Sequence, residues 1–285
     1  MNKEISAAAA EKNIWLRIAY DGTNFCGWQR QPGMRTVCGE LETVISGLLG
    51  QEIKLNGTSR TDAGVHALGQ CASFKAPVRI PVDRLAKALN DRLATDRLEG
   101  VGDIRILEAR EMPSDFHARF SSRGKRYLYR IYNSPDRDIF RRSYVYQVSR
   151  ELDIEAMRKA ASYITGEHDF AGFMSQGSTP QESTVRTIYR LDITKAPVTD
   201  RASMVTLSIE GNGFLYNMVR IITGTLVEVG QGKRTPQSVA LAIEKADRSL
   251  AGHTAPPQGL YLDQVFYDPD AFSQTAAAQP ATKEE

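Results

Sequence analysis

Apolar positions along this chain change period several times, and each change marks an element. Ile14-Trp15-Leu16-Arg17-Ile18-Ala19-Tyr20 is rich in aromatic and β-branched residues and reads as a strand, with Asp21-Gly22-Thr23 turning it. Leu41, Val44, Ile45 and Leu48 then recur at i, i+3, i+4 and i+7, the buried face of a helix that Thr36 would cap and Gly50 would end. Ile53-Lys54-Leu55 and Cys71-Ala72-Ser73-Phe74 read as short strands, and Pro77 to Pro81 as a connector. Leu85, Leu89 and Leu93 share one side of a second helix, starting at Pro81-Val82-Asp83, and Ile104 to Arg110 is a further strand. This order predicts an α+β layer: a mainly antiparallel sheet with helices on one face.

Met112 to Ser114 reads as a hinge, after which a similar pattern returns loosely. Within Lys125-Arg126-Tyr127-Leu128-Tyr129-Arg130-Ile131-Tyr132, alternation puts Tyr127, Tyr129 and Ile131 on one face of a strand. Leu152 to Thr165 is helical by its Met157, Ala160, Ala161 and Ile164 stripe, with Gly166 stopping it. Strands are predicted at Thr187 to Thr194 and Met204 to Glu210. A long apolar helix follows, with Leu215, Met218, Val219, Ile222, Leu226 and Val229, and a last one runs from Pro236 to Arg248. The expected division is a domain over 12–112 and a second over 113–268, with disordered tails at 1–11 and 272–285.

Composition narrows the class. A chain of 285 residues with 41% hydrophobic and 25% charged content is ordinary for a globular protein of one large or two medium domains. A net charge of +2 does not announce a nucleic-acid binder, so such a footprint would have to be local. One stretch supplies it. Arg119, Arg123, Lys125, Arg126, Arg130, Arg137, Arg141 and Arg142 interleave with Phe116, Phe120, Tyr127, Tyr129, Tyr132 and Phe140. Cations bind phosphates and aromatic rings stack on unpaired bases, though the same residues would also suit a solvated, charge-protected edge strand.

Cys26, Cys38 and Cys71 form no Cys-x-x-Cys pair, which argues against a zinc site or disulfide framework and fits a reducing compartment. The histidines stand apart, and there is no Gly-x-Gly-x-x-Gly, Walker loop or His-Glu-x-x-His, so neither metal nor cofactor is expected. Met1 to Lys12 lacks the apolar core of a signal peptide, and no apolar run is long enough to span a membrane, so a cytoplasmic location is expected.

The candidate chemistry sits in Gly57-Thr58-Ser59-Arg60-Thr61-Asp62-Ala63-Gly64-Val65-His66-Ala67-Leu68-Gly69-Gln70. Small residues here let the backbone turn and pack closely around a single carboxylate. Asp62 can be a nucleophile, or a turn-maker bonded to its own backbone, and composition alone favours the second. Arg220 lies inside an apolar helical pattern, where it must either pair with a carboxylate or snorkel to solvent. His168 beside Asp169 does not make a general base, because strand neighbours point apart and no nucleophile partner is evident.

Arg60-Thr61-Asp62-Ala63-Gly64-Val65-His66-Ala67 resembles the catalytic motif of the tRNA pseudouridine synthase A family. The departure is Ser59, where many members carry glycine. Further stretches resemble the family in order along the chain from about Ile14 to Tyr267. They are Tyr20-Asp21-Gly22-Thr23 with Gly27-Trp28-Gln29, Phe116-His117-Ala118-Arg119-Phe120 with Lys125-Arg126-Tyr127, Glu167 to Phe173, Gly213 to Arg220, and Ala255 to Leu262.

The resemblance implies the pseudouridine synthase fold, two similar α+β domains side by side with the active-site cleft between them. It implies isomerisation of uridine to pseudouridine in the anticodon stem-loop of tRNA, at uridines 38 to 40, by a homodimer without cofactor. Carried over residue by residue, Asp62 is the nucleophile, Tyr127 stacks on the target uracil and is a candidate base, and Arg220 forms an ion pair with Asp62. Arg60 serves base flipping or phosphate contact, and Leu260 lines the site. Arg123, Lys125 and Arg126 are candidate RNA contacts from the basic stretch. A non-catalytic RNA-binding protein of the same fold, or a synthase acting on other RNA uridines, are the alternatives.

Overall fold

Strand β1 (Glu11–Tyr20) carries Ile14, Leu16 and Ile18 on one face, and all three are fully buried. A computed structural model describes residues 10–95, 102–175 and 182–268, within a chain that divides into two compact units, Met1–Ser122 and Arg123–Glu285.

In the first unit β1 pairs antiparallel with β3 (His66–Pro77) on one side and β4 (Ile104–Met112) on the other. The two-residue β2 (Asn56–Gly57) adds to β3. Helix α1 (Val37–Leu49) is capped as expected, Thr36 Oγ1 accepting from the Gly39 amide, and it ends at Gly50 in the left-handed region. Its Leu41 and Ile45 are fully buried, each stabilising the unit by about 1.5–3 kcal/mol. Helix α2 (Val82–Thr95) packs against β4, and α1 against α2.

The expected strand at Ile53-Lys54-Leu55 does not form. The amides of Ile53 and Leu55 are bound by the Ser46 hydroxyl and the Glu42 carboxylate of α1, both at 2.9 Å, so they are unavailable to a ladder. Strand β3 instead begins at His66, earlier than the expected Cys71, so the second half of the Asp62 stretch is sheet. Glu11, expected in a disordered tail, pairs with Pro77. Residues 1–9 and 272–285 lie outside the described residues.

The second unit is built on β5 (Gly124–Asn133), antiparallel both to β10 (Leu260–Phe266) and to β9 (Ala202–Gly211). Beyond β9 lie β8 (Val185–Thr199) and β7 (Gly166–Asp169). The short β6 (Tyr146–Val148) runs parallel to the end of β5, past the point where β10 stops at Tyr129. Because β5 is flanked on both sides, the part of the basic stretch that it carries, Lys125, Arg126 and Arg130, is not on a solvated edge strand. Helices α3 (Ile154–Ser162), α4 (Met218–Gly230) and α5 (Gln237–Lys245) complete the unit, with α3 packed against α4 and β8. Helix α4 starts later than its apolar pattern suggests, because Asn217 adopts a left-handed conformation (φ 61°).

Helices over antiparallel sheets recur in both units, the α+β class read from the sequence. The unit boundary falls later than residue 112. The Asn13 amide holds the Pro113 and Phe116 carbonyls at 2.8 Å, and Thr58 holds Ala118, so this stretch stays with the first unit.

Candidate active site

The Asp62 loop runs from Thr58 to Val65 between β2 and β3, and it is tied down at both ends. Thr58 donates its amide and its hydroxyl to the Cys71 carbonyl, at 2.8 and 3.0 Å. The Gln70 side-chain amide donates to the Ser59 carbonyl at 2.7 Å. At the far end the Gly22 amide donates to His66 Nδ1 at 3.0 Å, and the His66 ring is buried.

The middle of the loop rests on the segment after β1. The Trp28 amide donates to the Thr61 carbonyl at 3.0 Å, and the Thr61 and Tyr20 hydroxyls bond at 2.8 Å. The Gly64 amide donates to the Phe25 carbonyl at 3.3 Å. Phe25 is itself clamped by the Arg35 guanidinium, 4.1 Å over its ring, and Arg35 is fixed by Asp103 at 2.8 Å and Glu40 at 3.2 Å. Gly27 lies at φ +89°, and a Cβ there would come within 2.6 Å of the Thr61 carbonyl oxygen, so the close approach beneath Asp62 requires glycine. Trp28 is buried as a packing anchor.

This scaffold holds Thr61 buried, Asp62 half-buried and Arg60 exposed. The Asp62 carbonyl accepts the Val65 amide at 3.1 Å, a turn through the backbone. A carboxylate presented from a rigid base is the arrangement that nucleophilic chemistry needs.

In the second unit Tyr127 is buried, its ring meeting Phe214 edge-on at 5.1 Å. On the same face Tyr129 lies opposite Leu260, which is also buried, and its hydroxyl donates to the Pro256 carbonyl at 2.6 Å. Burial pushes the Tyr129 phenol well above its ordinary range, so it stays protonated as a donor.

Arg220, half-buried near the start of α4, does not simply snorkel. Its Nε donates to the Ala255 carbonyl at 2.8 Å and one terminal nitrogen to Asn217 Oδ1 at 2.7 Å. Asn217 is steadied in turn by its amide's bond to the Ser175 hydroxyl at 2.9 Å.

The loop carrying Ala255 is moored to α4. A Cβ at Gly224 would sit 1.8 Å from the His253 carbonyl oxygen, so only glycine permits the approach. The Gly252 amide donates to Thr225 Oγ1 at 2.8 Å. Glu228 binds Arg234 on one oxygen and His253 on the other, the latter through both backbone amide (3.0 Å) and Nδ1 (2.8 Å). Burial works against ionising Glu228, but these bonds prevail and hold its pKa down at about 2.

Sequence reading missed Asn217, Glu228, Arg234 and His253. Their partners are distant in sequence or set by an unusual backbone angle, and the only local cue was the interruption of α4's apolar pattern before Met218.

Of the basic residues, Arg123 is exposed and Lys125 half-buried. Arg126, read as a candidate RNA contact, ties neighbouring strands together: its guanidinium bonds Asp263 and Gln264 of β10 and reaches Glu210 of β9 at 3.4 Å. His168 bonds the Thr165 carbonyl at 3.1 Å and packs on Phe170, a structural role. Burial and the neighbouring Glu42 push the Cys38 thiol up to about 12, leaving it unreactive. Among the described residues no group of three or more His, Cys, Asp or Glu could hold a metal ion, and no helix is long and apolar enough to cross a membrane.

Comparison with known proteins agrees with these motifs. A family profile described as tRNA pseudouridine synthase matches residues 17–121 and 160–268. The tRNA pseudouridine synthase A of Caldicellulosiruptor bescii is 45% identical over 256 residues, which is 90% of this chain and 100% of that protein. That of Acetivibrio thermocellus is 48% identical over the same shares, and that of Geobacillus sp. (strain WCH70) is 46% identical over 90% of this chain and 99% of its own. With the profile matching in both units and relatives matched along their whole length, the chain belongs to the tRNA pseudouridine synthase A family.

Proposed function

We propose that this chain isomerises uridine to pseudouridine in tRNA, with Asp62 as the nucleophile. The observation that carries the proposal is the Asp62 loop. A motif of the family's catalytic type sits on a backbone pinned by Thr58, Gln70, Trp28 and Gly22.

The reaction conserves atoms. The N1–C1′ bond breaks, the uracil turns, a C5–C1′ bond forms, the C5 proton leaves and N1 gains one. No electrons are exchanged with a second molecule. Asp62 assists cleavage and recapture of the base, and a stacked uridine must first leave the helix to reach it. Tyr127 offers the uracil an aromatic face, and Arg220 is the cation that balances Asp62. Arg60, exposed beside the carboxylate, suits a phosphate or the gap left by the flipped base. Leu260 supplies an apolar wall. Arg123 and Lys125 are the RNA contacts of the basic stretch, whereas the bonds of Arg126 within the sheet weigh against that role for it. The anticodon stem-loop as target, a homodimer as the working form and a cytoplasmic setting follow from the family resemblance.

The test is to map pseudouridine in total tRNA from cells with and without this gene. Loss confined to the anticodon stem-loop, restored by the wild-type chain, is the expected result. Unchanged pseudouridine throughout tRNA would refute the proposal.

A further inference from the structure

Phe120 is 76% exposed, an unusual setting for a large apolar ring. Its surroundings are not those of a loose loop. The Ser121 amide donates to the His117 carbonyl at 2.9 Å, and the His117 amide donates to the Ser121 hydroxyl at 3.1 Å. His117 Nδ1 accepts from the Arg119 and Phe120 amides at 3.1 and 3.4 Å. These bonds close a tight turn around Ala118, which is fully buried.

That turn is anchored to the catalytic scaffold of the first unit. The Ala118 amide donates to the Ser73 hydroxyl of β3 at 3.1 Å, and the Ala118 carbonyl accepts from the Thr58 hydroxyl at 3.0 Å. Thr58 is the residue that opens the Asp62 loop. The backbone turn that carries Phe120 is therefore held on the same framework as Asp62.

The ring is also backed and flanked. The His117 imidazole lies 4.5 Å from it at an interplanar angle of 37°, and the Arg119 guanidinium carbon sits 5.7 Å from its centroid. An aromatic surface held in water next to a cation has two complements in one molecule: a planar base and its phosphate. A packing role within the chain would bury the ring, and a protein partner in place of a base is the alternative that mass in solution tests.

We propose that Phe120, with Arg119, is a stacking platform for an unpaired base of the RNA substrate, separate from the flipped uridine. It rests on the reading that this substrate is tRNA. Phenylalanine offers no hydrogen bond to a base edge, so the platform grips without selecting sequence.

The test uses the full chain with F120A, F120L and F120W, measuring affinity for a tRNA transcript, pseudouridine formation at saturating tRNA, melting temperature and mass in solution. F120A and F120L are expected to weaken binding by about tenfold or more, the range found when a stacking ring is removed. F120W should bind as the wild type does. Turnover at saturation, melting temperature and mass should not change. Wild-type affinity in F120A or F120L would overturn the platform, and so would a change in mass, which would place the ring between two copies of the chain. A wild-type chain that forms no pseudouridine, while F120A still loses tRNA affinity and F120W keeps it, would overturn the proposed activity and leave the platform standing.

Discussion

Arg220 and Ala255 hold each other reciprocally: the Arg220 Nε donates to the Ala255 carbonyl at 2.8 Å, and the Ala255 amide donates to the Arg220 carbonyl at 3.0 Å. The side chain is thereby aimed by a loop that α4 moors through Thr225 and Glu228. With Asn217 taking a second edge of the guanidinium, the arrangement uses the planar fork that lysine lacks.

Arg220→Lys is therefore expected to keep the positive charge and lose the orientation. Turnover should fall about 10- to 100-fold, the equivalent of one charged hydrogen bond, while tRNA affinity stays close to that of the wild type. Single-turnover kinetics beside a binding titration separate the two. Unchanged turnover would show that charge alone suffices at this position.

Glu228 sets an acid limit on the second unit. Its ordinary value is 4.5 and its value in the fold is about 2, so the folded chain binds this proton more weakly than the unfolded chain does. The ion consequently contributes stability above about pH 4.5 and loses it as pH falls towards 2. Glu228→Gln should melt well below the wild type at pH 7, and the gap should close across that acid window. A gap that stays constant from pH 7 to pH 2 would contradict the assignment.

Variants at Arg126 and Arg123 test a structural role against the proposed RNA contact. Burial disfavours the Arg126 charge, but its bonds to Asp263 and Glu210 raise its pKa above the ordinary value. Arg126→Met should lower the melting temperature, by about 2–4 °C for each kcal/mol lost, and leave the salt dependence of tRNA binding unchanged. Arg123→Met should leave stability alone and reduce the slope of log K against log salt by about one. A reduced salt slope in Arg126→Met would return that residue to the RNA surface.

Local rules were legible in the sequence and long-range pairings were not. Thr36 and Gly50 bound α1 where capping chemistry put them, because a cap depends on neighbours three or four residues away. Tyr127, Tyr129 and Ile131 share a buried face of β5 as alternation required. Ile53-Lys54-Leu55 has strand composition, yet Ser46 and Glu42 claim its amides from across a helix that the local pattern cannot see. Arg126 reads as an RNA contact beside Arg123 and Lys125, and only the pairing of β5 with β9 and β10 reveals the carboxylates that occupy it. Asp62 stood out through its motif, whereas the Asn217 support of Arg220 depends on a left-handed backbone angle that no spacing announces.

The central claim is that Asp62 performs the chemical step, and the most direct measurement is pseudouridine formation in a tRNA transcript by Asp62→Ala and Asp62→Asn, alongside their tRNA affinity. Affinity comes mainly from phosphate contacts and the nucleophile acts after binding. Both variants should bind tRNA as the wild type does and form no pseudouridine. Measurable turnover by Asp62→Ala, in a preparation free of wild-type enzyme, would contradict the account.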